Sequence, residues 1–152
     1  MLTAEEVLAI IPQRQPFRFI DRIVEIDDRH AVGEYRFRPD EFFYAGHFPS
    51  DPVTPGVILI ETMCQTGLVA LGIYLLGLDA PKEEVARTVT LFTEAEVEFE
   101  RIVRPGDAVR VTAEKIFWRR RKLKSNVTLT LADGTPVAKG TVAGMGVQRG
   151  NV

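Results

Sequence analysis

The chain has 152 residues, 45% of them hydrophobic, enough for one buried core and short for two ordinary domains, so residues 1–152 are read as a single domain. Charged residues make up 26%, yet the formal net charge is only -2, so no global field recruits nucleic acid or a membrane surface. One cysteine, Cys64, excludes an intrachain disulfide framework and fits a reduced, cytoplasmic setting.

Met1 to Ile11 carries acids and no basic n-region, which argues against a secretory or transit peptide. Thr3 followed by Glu6 has the form of a capping box, and Val7, Leu8, Ile10 and Ile11 suit a short amphipathic helix that Pro12 ends. From Phe17 to Phe37 the pattern turns β-like. Phe19, Ile20, Ile23, Val24 and Ile26 precede a polar turn, Asp27 to His30, which predicts a hairpin whose return strand ends near Arg38. Residues Pro39 to Pro55 hold four prolines, Gly46 and the aromatics Phe42, Phe43, Tyr44 and Phe48, the composition of an ordered loop rather than a tether.

Thr54 is a competent N-cap and Pro55 fits a first helical turn, so a long helix is expected to start here and close at Gly77. It is apolar on nearly every face and must be enclosed, by a sheet that curls around it or by a neighbouring subunit. Glu61, Thr62, Gln65 and Thr66 in its first half argue against a membrane span. Strands are expected over about Arg87 to Val103, Ala108 to Arg121, Lys122 to Leu131 and Pro136 to Val147. Pro105-Gly106-Asp107 gives one turn, and Asp133-Gly134 marks a hairpin. The fold class is α+β: one long helix against a curved antiparallel sheet.

The stretch from Gly46 to Gln65 carries the chemistry. It places an imidazole, His47, on a proline-stiffened loop, then a helix N-terminus with Gly56 in its first turn, then one carboxylate, Glu61, on an apolar helix. Eliminating water across a thioester needs a base for the α-proton, a donor for the carbonyl oxygen and an acid for the departing hydroxyl. His47 suits the base, since imidazole titrates near neutrality. The first-turn N–H groups, Gly56 above all, suit the carbonyl oxygen, because the helix dipole favours negative charge and glycine lets the substrate come close. Glu61 in apolar surroundings is shifted toward its protonated form and suits the acid. A lone histidine beside aromatics is commonly structural, and a helical carboxylate commonly pairs with a cation. The two together on either side of a helix entry favour chemistry. Gln65, one turn on, can hydrogen-bond Glu61.

Cys64 sits mid-helix with no basic partner and is assigned to packing. His30 lies in an acidic turn. Two histidines and one cysteine make no metal site, and no cofactor is implied. The basic run Arg119 to Lys124 alternates faces in a strand, and its functional reading is docking of an acidic partner or a phosphate rather than nucleic acid.

On these residues the sequence resembles the FabZ-type 3-hydroxyacyl-acyl-carrier-protein dehydratases over nearly its whole length. The matching features are Gly46-His47-Phe48-Pro49, Pro55-Gly56-Val57, Glu61 fourteen residues after His47, and Gln65. Pro16-Phe17, Ile20-Asp21-Arg22, Phe99 and Pro105-Gly106-Asp107 are weaker matches. The resemblance implies a hot-dog fold, a long central helix wrapped by a curved antiparallel sheet. It also implies a homodimer with its long helices together, with a trimer of dimers as the larger alternative, and two active sites at the dimer interface. The partner implied is an acyl carrier protein bearing a 3-hydroxyacyl thioester. By the same resemblance His47 and Glu61 are the catalytic pair, Gly56 and Val57 bind substrate with the Gly56 N–H on the thioester carbonyl, and Gln65 supports the carboxylate. Gln13, Gln15 and Cys64 depart from the family pattern. These departures bear on acyl-chain specificity, leaving fatty acid and specialised polyketide or polyene pathways open. The alternatives are a hot-dog acyl thioesterase, with Glu61 activating water, and a non-catalytic acyl-binding subunit.

Overall fold

The computed structural model describes residues 1–150. Helix α1 (Ala4–Ile10) starts at the capping box read from the sequence: the Glu6 N–H donates to Thr3 Oγ1 at 3.2 Å and the Thr3 N–H to Glu6 Oε2 at 2.9 Å. Strands β1 (Arg22–Ile26) and β2 (His30–Arg36) form the expected hairpin. Its turn is held by Asp27 Oδ1, which accepts from the N–H groups of Arg29 and His30 at 2.7 Å each. Strand β1 begins later than the apolar pattern suggests. The Phe17–Phe19 backbone bonds a side chain of the central helix instead of a ladder, with the Phe19 N–H and the Phe17 carbonyl both satisfied by Gln65.

The central helix, α2, is continuous over Gly56–Gly77 and takes π-helical pitch from Gln65 to Ala70. A short helix α3 (Lys82–Ala86) follows, which sequence patterning did not anticipate. Strands β3 (Thr88–Phe99), β4 (Ala108–Arg119), β5 (Lys122–Leu131) and β6 (Pro136–Gln148) complete one six-stranded antiparallel sheet of order β1-β2-β4-β5-β6-β3. This is the expected α+β architecture.

One side of α2 packs on the sheet: Leu59, Met63, Leu68 and Leu71 share a core with Val111, Val127 and Leu129. The other side, with Val69, Ile73 and Leu76, meets Val7, Ile11 and Val85. The helix has the length and apolarity of a membrane span, but its best window is 72% buried in the fold, as in a core helix. In the π-helical segment the backbone approaches the sheet closely. A Cβ on Gly67 would lie 2.7 Å from Val127 Cγ1 and 3.3 Å from Ala113 Cβ. The buried Ser125 hydroxyl donates to the Gly67 carbonyl at 2.8 Å. The wider pitch disturbs the usual helical ladder, and a strand side chain serves the affected carbonyl.

Two local expectations change, at Thr54 and in the β4–β5 turn, while the helix closes at Gly77 as expected. Thr54 does not cap α2: its hydroxyl pairs with the Tyr44 hydroxyl at 2.7 Å, and Pro55 occupies the cap position without a side-chain bond. Gly77 is the last helical residue, as expected, and its missing side chain makes room for Leu2, whose Cδ1 would be 2.6 Å from a Cβ there. The strands β4 and β5 are joined by Arg120 and Arg121, at φ 50° and 61°, a left-handed pair normally given to Asn or Gly. The basic run is accordingly dispersed. Arg119 lies over the Phe117 ring, Arg121 pairs with Glu84, and Lys122 and Lys124 both reach Glu94.

The Gly67 contact yields a test of the fold. Gly67→Val overpacks the helix–sheet contact and is expected to cost about 1–3 kcal/mol. Thermal unfolding should show Tm lower by about 2–10 °C.

Candidate active site

The loop between β2 and α2 is fixed at several points before it presents His47. Phe37 is fully buried, and the buried Glu41 carboxylate accepts from the Tyr35 hydroxyl at 2.5 Å and the Arg38 N–H at 3.2 Å. Tyr44 is buried too, and burial pushes its phenol up to about 12. It therefore remains a neutral partner for Thr54. Further on, the Thr54 N–H donates to the Val103 carbonyl at 2.9 Å, and Arg104 pairs with Asp51 at 3.1 Å. The loop is thus tied to the β3–β4 connection as well as to β2.

Within this frame the His47 ring stacks on Phe48, with centroids 4.1 Å apart, and His47 Nδ1 lies 2.7 Å from the Val53 carbonyl. A carbonyl only accepts, so Nδ1 carries the proton in that bond. In the neutral ring the lone pair is then on Nε2. The backbone at Val53 selects the tautomer a base needs.

The diversion of Thr54 to Tyr44 leaves the start of α2 without a side-chain cap. The Ile58 and Leu59 N–H groups both donate to the Pro55 carbonyl, at 3.0 and 3.1 Å. Those of Gly56 and Val57, ahead of the first helical bonds, have no partner within the helix. Val57 is 73% exposed. A Cβ on Gly56 would come 3.4 Å from the Phe99 ring. Phe99 therefore walls the helix entry, and glycine keeps the gap open.

Glu61 sits five residues into α2, and burial pushes its carboxyl above the ordinary value of 4.5. The opposing influence is one hydrogen bond, from Gln65 Nε2 to Glu61 Oε1 at 3.1 Å. Gln65 is fully buried. Its Nε2 also donates to the Phe17 carbonyl at 3.0 Å, and its Oε1 accepts from the Phe19 N–H at 2.7 Å. The amide is committed in all three bonds, so it orients the carboxyl without supplying positive charge.

The structure brings Glu61 and Gln65 together and places His47 on Val53. Among the described residues, no hydrogen bond joins His47 to Glu61 within one chain. The anchors that sequence reasoning did not assign, Val53, Tyr44 and Glu41, act through backbone atoms or loop contacts that carry no spacing signal. Cys64 is buried in the core, and burial raises its thiol. His30 is half-exposed beside Asp27. No cluster of metal-ligating side chains occurs among the described residues.

A long helix held in a curved antiparallel sheet, with a carboxyl on the helix and an imidazole at its entry, defines the hot-dog class of acyl-thioester proteins. The chain matches the FabA-like domain family over residues 11–141. It is 39% identical over 135 residues to the 3-hydroxyacyl-[acyl-carrier-protein] dehydratase FabZ of Chloroflexus aggregans, covering 88% of each chain. It is 40% identical over 141 residues to that of Herpetosiphon aurantiacus, covering 92% of this chain and 94% of the relative. The chain belongs to the FabA-like family, in its FabZ-type dehydratase branch. Among solved structures, a dehydratase heterocomplex from Xenorhabdus doucetiae superposes with TM-score 0.75 at 14% identity, covering 94% of this chain and 91% of that one. A hypothetical thioesterase from Streptococcus pneumoniae gives 0.58 at 13%, covering 84% and 85%. At those identities the likeness is one of fold.

The raised carboxyl makes Glu61 a stability probe. The folded state holds its proton more tightly than the unfolded chain, so its contribution is complete below 4.5 and is lost as pH rises through the folded value. Glu61→Gln keeps the shape and removes the titration. Its Tm relative to the parent should climb as pH is raised from acid to neutral; a pH-independent difference would place the carboxyl in an ordinary environment.

Proposed function

We propose that the protein dehydrates a 3-hydroxyacyl thioester carried on acyl carrier protein to the trans-2-enoyl thioester, with residues 1–152 acting as one domain. His47 Nε2 removes the proton from C2. The N–H groups of Gly56 and Val57 receive the thioester oxygen as it gains charge. Glu61 delivers its proton to the C3 hydroxyl, which leaves as water. The imidazolium and the carboxylate then exchange protons with solvent to restore the starting state. Gln65 holds the carboxyl in place throughout.

The observation that carries this reading is the contrast between the two groups: a carboxyl raised by burial and held by Gln65, and an imidazole whose Nδ1 is committed to Val53. The relatives named as dehydratases, at 36 to 40% identity over most of the chain, favour it over the thioesterase and the acyl-binding subunit. Incubation with 3-hydroxyacyl and enoyl thioesters, following dehydration, hydration and thiol release together, tests the reading. Interconversion without thiol release is expected; thiol release alone would replace it with hydrolysis.

The acting unit we propose is a cytoplasmic homodimer, joined along β3. Among the described residues this strand pairs only with β6, and it leaves Leu91, Phe92 and Phe99 40%, 52% and 45% exposed. An open strand edge with apolar side chains favours pairing with a second copy. In such a dimer His47 of one subunit faces Glu61 of the other. Mixing His47→Ala with Glu61→Gln under subunit exchange should then restore about a quarter of native activity, since random pairing gives mixed dimers with one complete site. Verified exchange with no recovery places both groups on one chain.

A further inference from the structure

Tyr44 joins the two halves of the site and has no part in the chemistry assigned above. Its backbone carbonyl accepts from the His47 N–H at 3.3 Å, within the loop that presents the imidazole. Its hydroxyl pairs with Thr54 Oγ1 at 2.7 Å, two residues before Gly56. Tyr44 and Thr54 are 4% and 3% exposed, so the pair is closed off from bulk water.

Thr54 is placed to bond elsewhere. The residue before a proline is held extended, the backbone state of a helix cap, and a threonine hydroxyl there reaches the N–H groups two and three positions on. For Thr54 those belong to Gly56 and Val57. Neither has a partner among the described residues, and both are assigned to the thioester oxygen. Threonine occupies staggered χ1 states, so a turn of about 120° separates one use of its hydroxyl from the other. In the structure Tyr44 decides between them: Thr54 Oγ1 faces the phenol, and α2 starts with no side-chain bond. The phenol is suited to hold it. Burial pushes Tyr44 up to about 12, so it stays a neutral hydroxyl, and its ring packs edge-on against Phe43 with centroids 4.7 Å apart.

We propose that Tyr44 is a positioning residue for the reaction: by holding the Thr54 hydroxyl it keeps the Gly56 and Val57 N–H groups free for the thioester oxygen. The inference rests on the dehydratase reading, which puts that oxygen at the entry of α2. Without the phenol oxygen the buried Thr54 hydroxyl is orphaned, a state costly enough to turn it toward the nearest free donors. Thr54 then caps α2 as its place in the sequence suggests. The helix gains a bond, and the substrate has to displace it.

The test compares Tyr44→Phe with the double variant Tyr44→Phe, Thr54→Val in the full-length protein. The first change removes one oxygen and keeps the ring. The second keeps the shape of threonine and removes the group that would cap. Amide hydrogen exchange at Gly56 and Val57 should slow about fivefold in Tyr44→Phe, and kcat/KM for 3-hydroxyacyl thioesters should fall about fivefold, the factor by which an ordinary cap favours the capped helix start over the open one. Both should return toward the parent value in the double variant. A merely structural role for Tyr44 predicts the opposite: a loosened loop speeds exchange at the helix entry, and a second buried substitution adds to the damage instead of undoing it. If Tyr44→Phe folds poorly, Tyr44→Met removes the hydroxyl with a side chain that adapts to the space left. Exchange at Gly56 and Val57 that is unchanged or faster in the single variant overturns the proposal, as does a loss of kcat/KM that persists in the double variant. A parent protein that dehydrates no 3-hydroxyacyl thioester overturns the dehydratase reading instead, and the exchange rates then still decide whether Tyr44 restrains Thr54.

Discussion

The side-chain amide of Gln65 is the constraint on which most of this architecture turns. It is fully buried, and each of its hydrogen bonds spends a group that would otherwise be orphaned: the Phe19 N–H, the Phe17 carbonyl and one oxygen of Glu61. The first two hold the segment before β1 against α2 without a strand ladder. The third holds a carboxyl in an apolar helix without a counter-charge, so desolvation remains its dominant influence and pushes the carboxyl above its ordinary value. An arginine or lysine at this position would pair with the carboxylate and reverse that balance.

The entry to α2 follows the same economy. Thr54 has the side chain of a helix cap, but its hydroxyl is committed to Tyr44, and the N–H groups of Gly56 and Val57 stay unclaimed by the fold. A few residues earlier the Val53 carbonyl occupies His47 Nδ1. On the proposed mechanism both choices serve one end. The fold consumes the donors and acceptors that would interfere and leaves open the ones that act on substrate.

Much of this was legible in the sequence, and the reasons differ by element. The α1 capping box, the hairpin at Asp27 and the enclosure of an all-apolar helix all follow from local chemistry or from burial, and the structure has them. The dense polar signal between His47 and Gln65 identified the candidate site because polar groups on such an apolar segment are costly unless used. Thr54 misled because cap propensity says what a side chain can bond, while a tertiary partner 10 positions away decided what it does. The π-helical turn and the Ser125 bond that serves it depend on how closely β5 approaches Gly67, a distance no periodicity encodes. Helix α3 is too short for its apolar pattern to register, and the Arg120–Arg121 turn lacks the Asn or Gly that announces such a bend.

The central claim is a division of labour: an imidazole with its Nε2 lone pair available in the neutral ring, and a carboxyl that burial pushes above its ordinary value. One NMR titration of protein labelled with 15N-histidine and 13C-glutamate side chains reads both groups, with Glu61→Gln and His30→Gln samples for assignment. The account predicts that the neutral His47 ring carries its proton on Nδ1 and is bare at Nε2, and that Glu61 titrates above 4.5. A proton on Nε2 in the neutral ring, or a Glu61 carboxyl that ionises at or below 4.5, would contradict it.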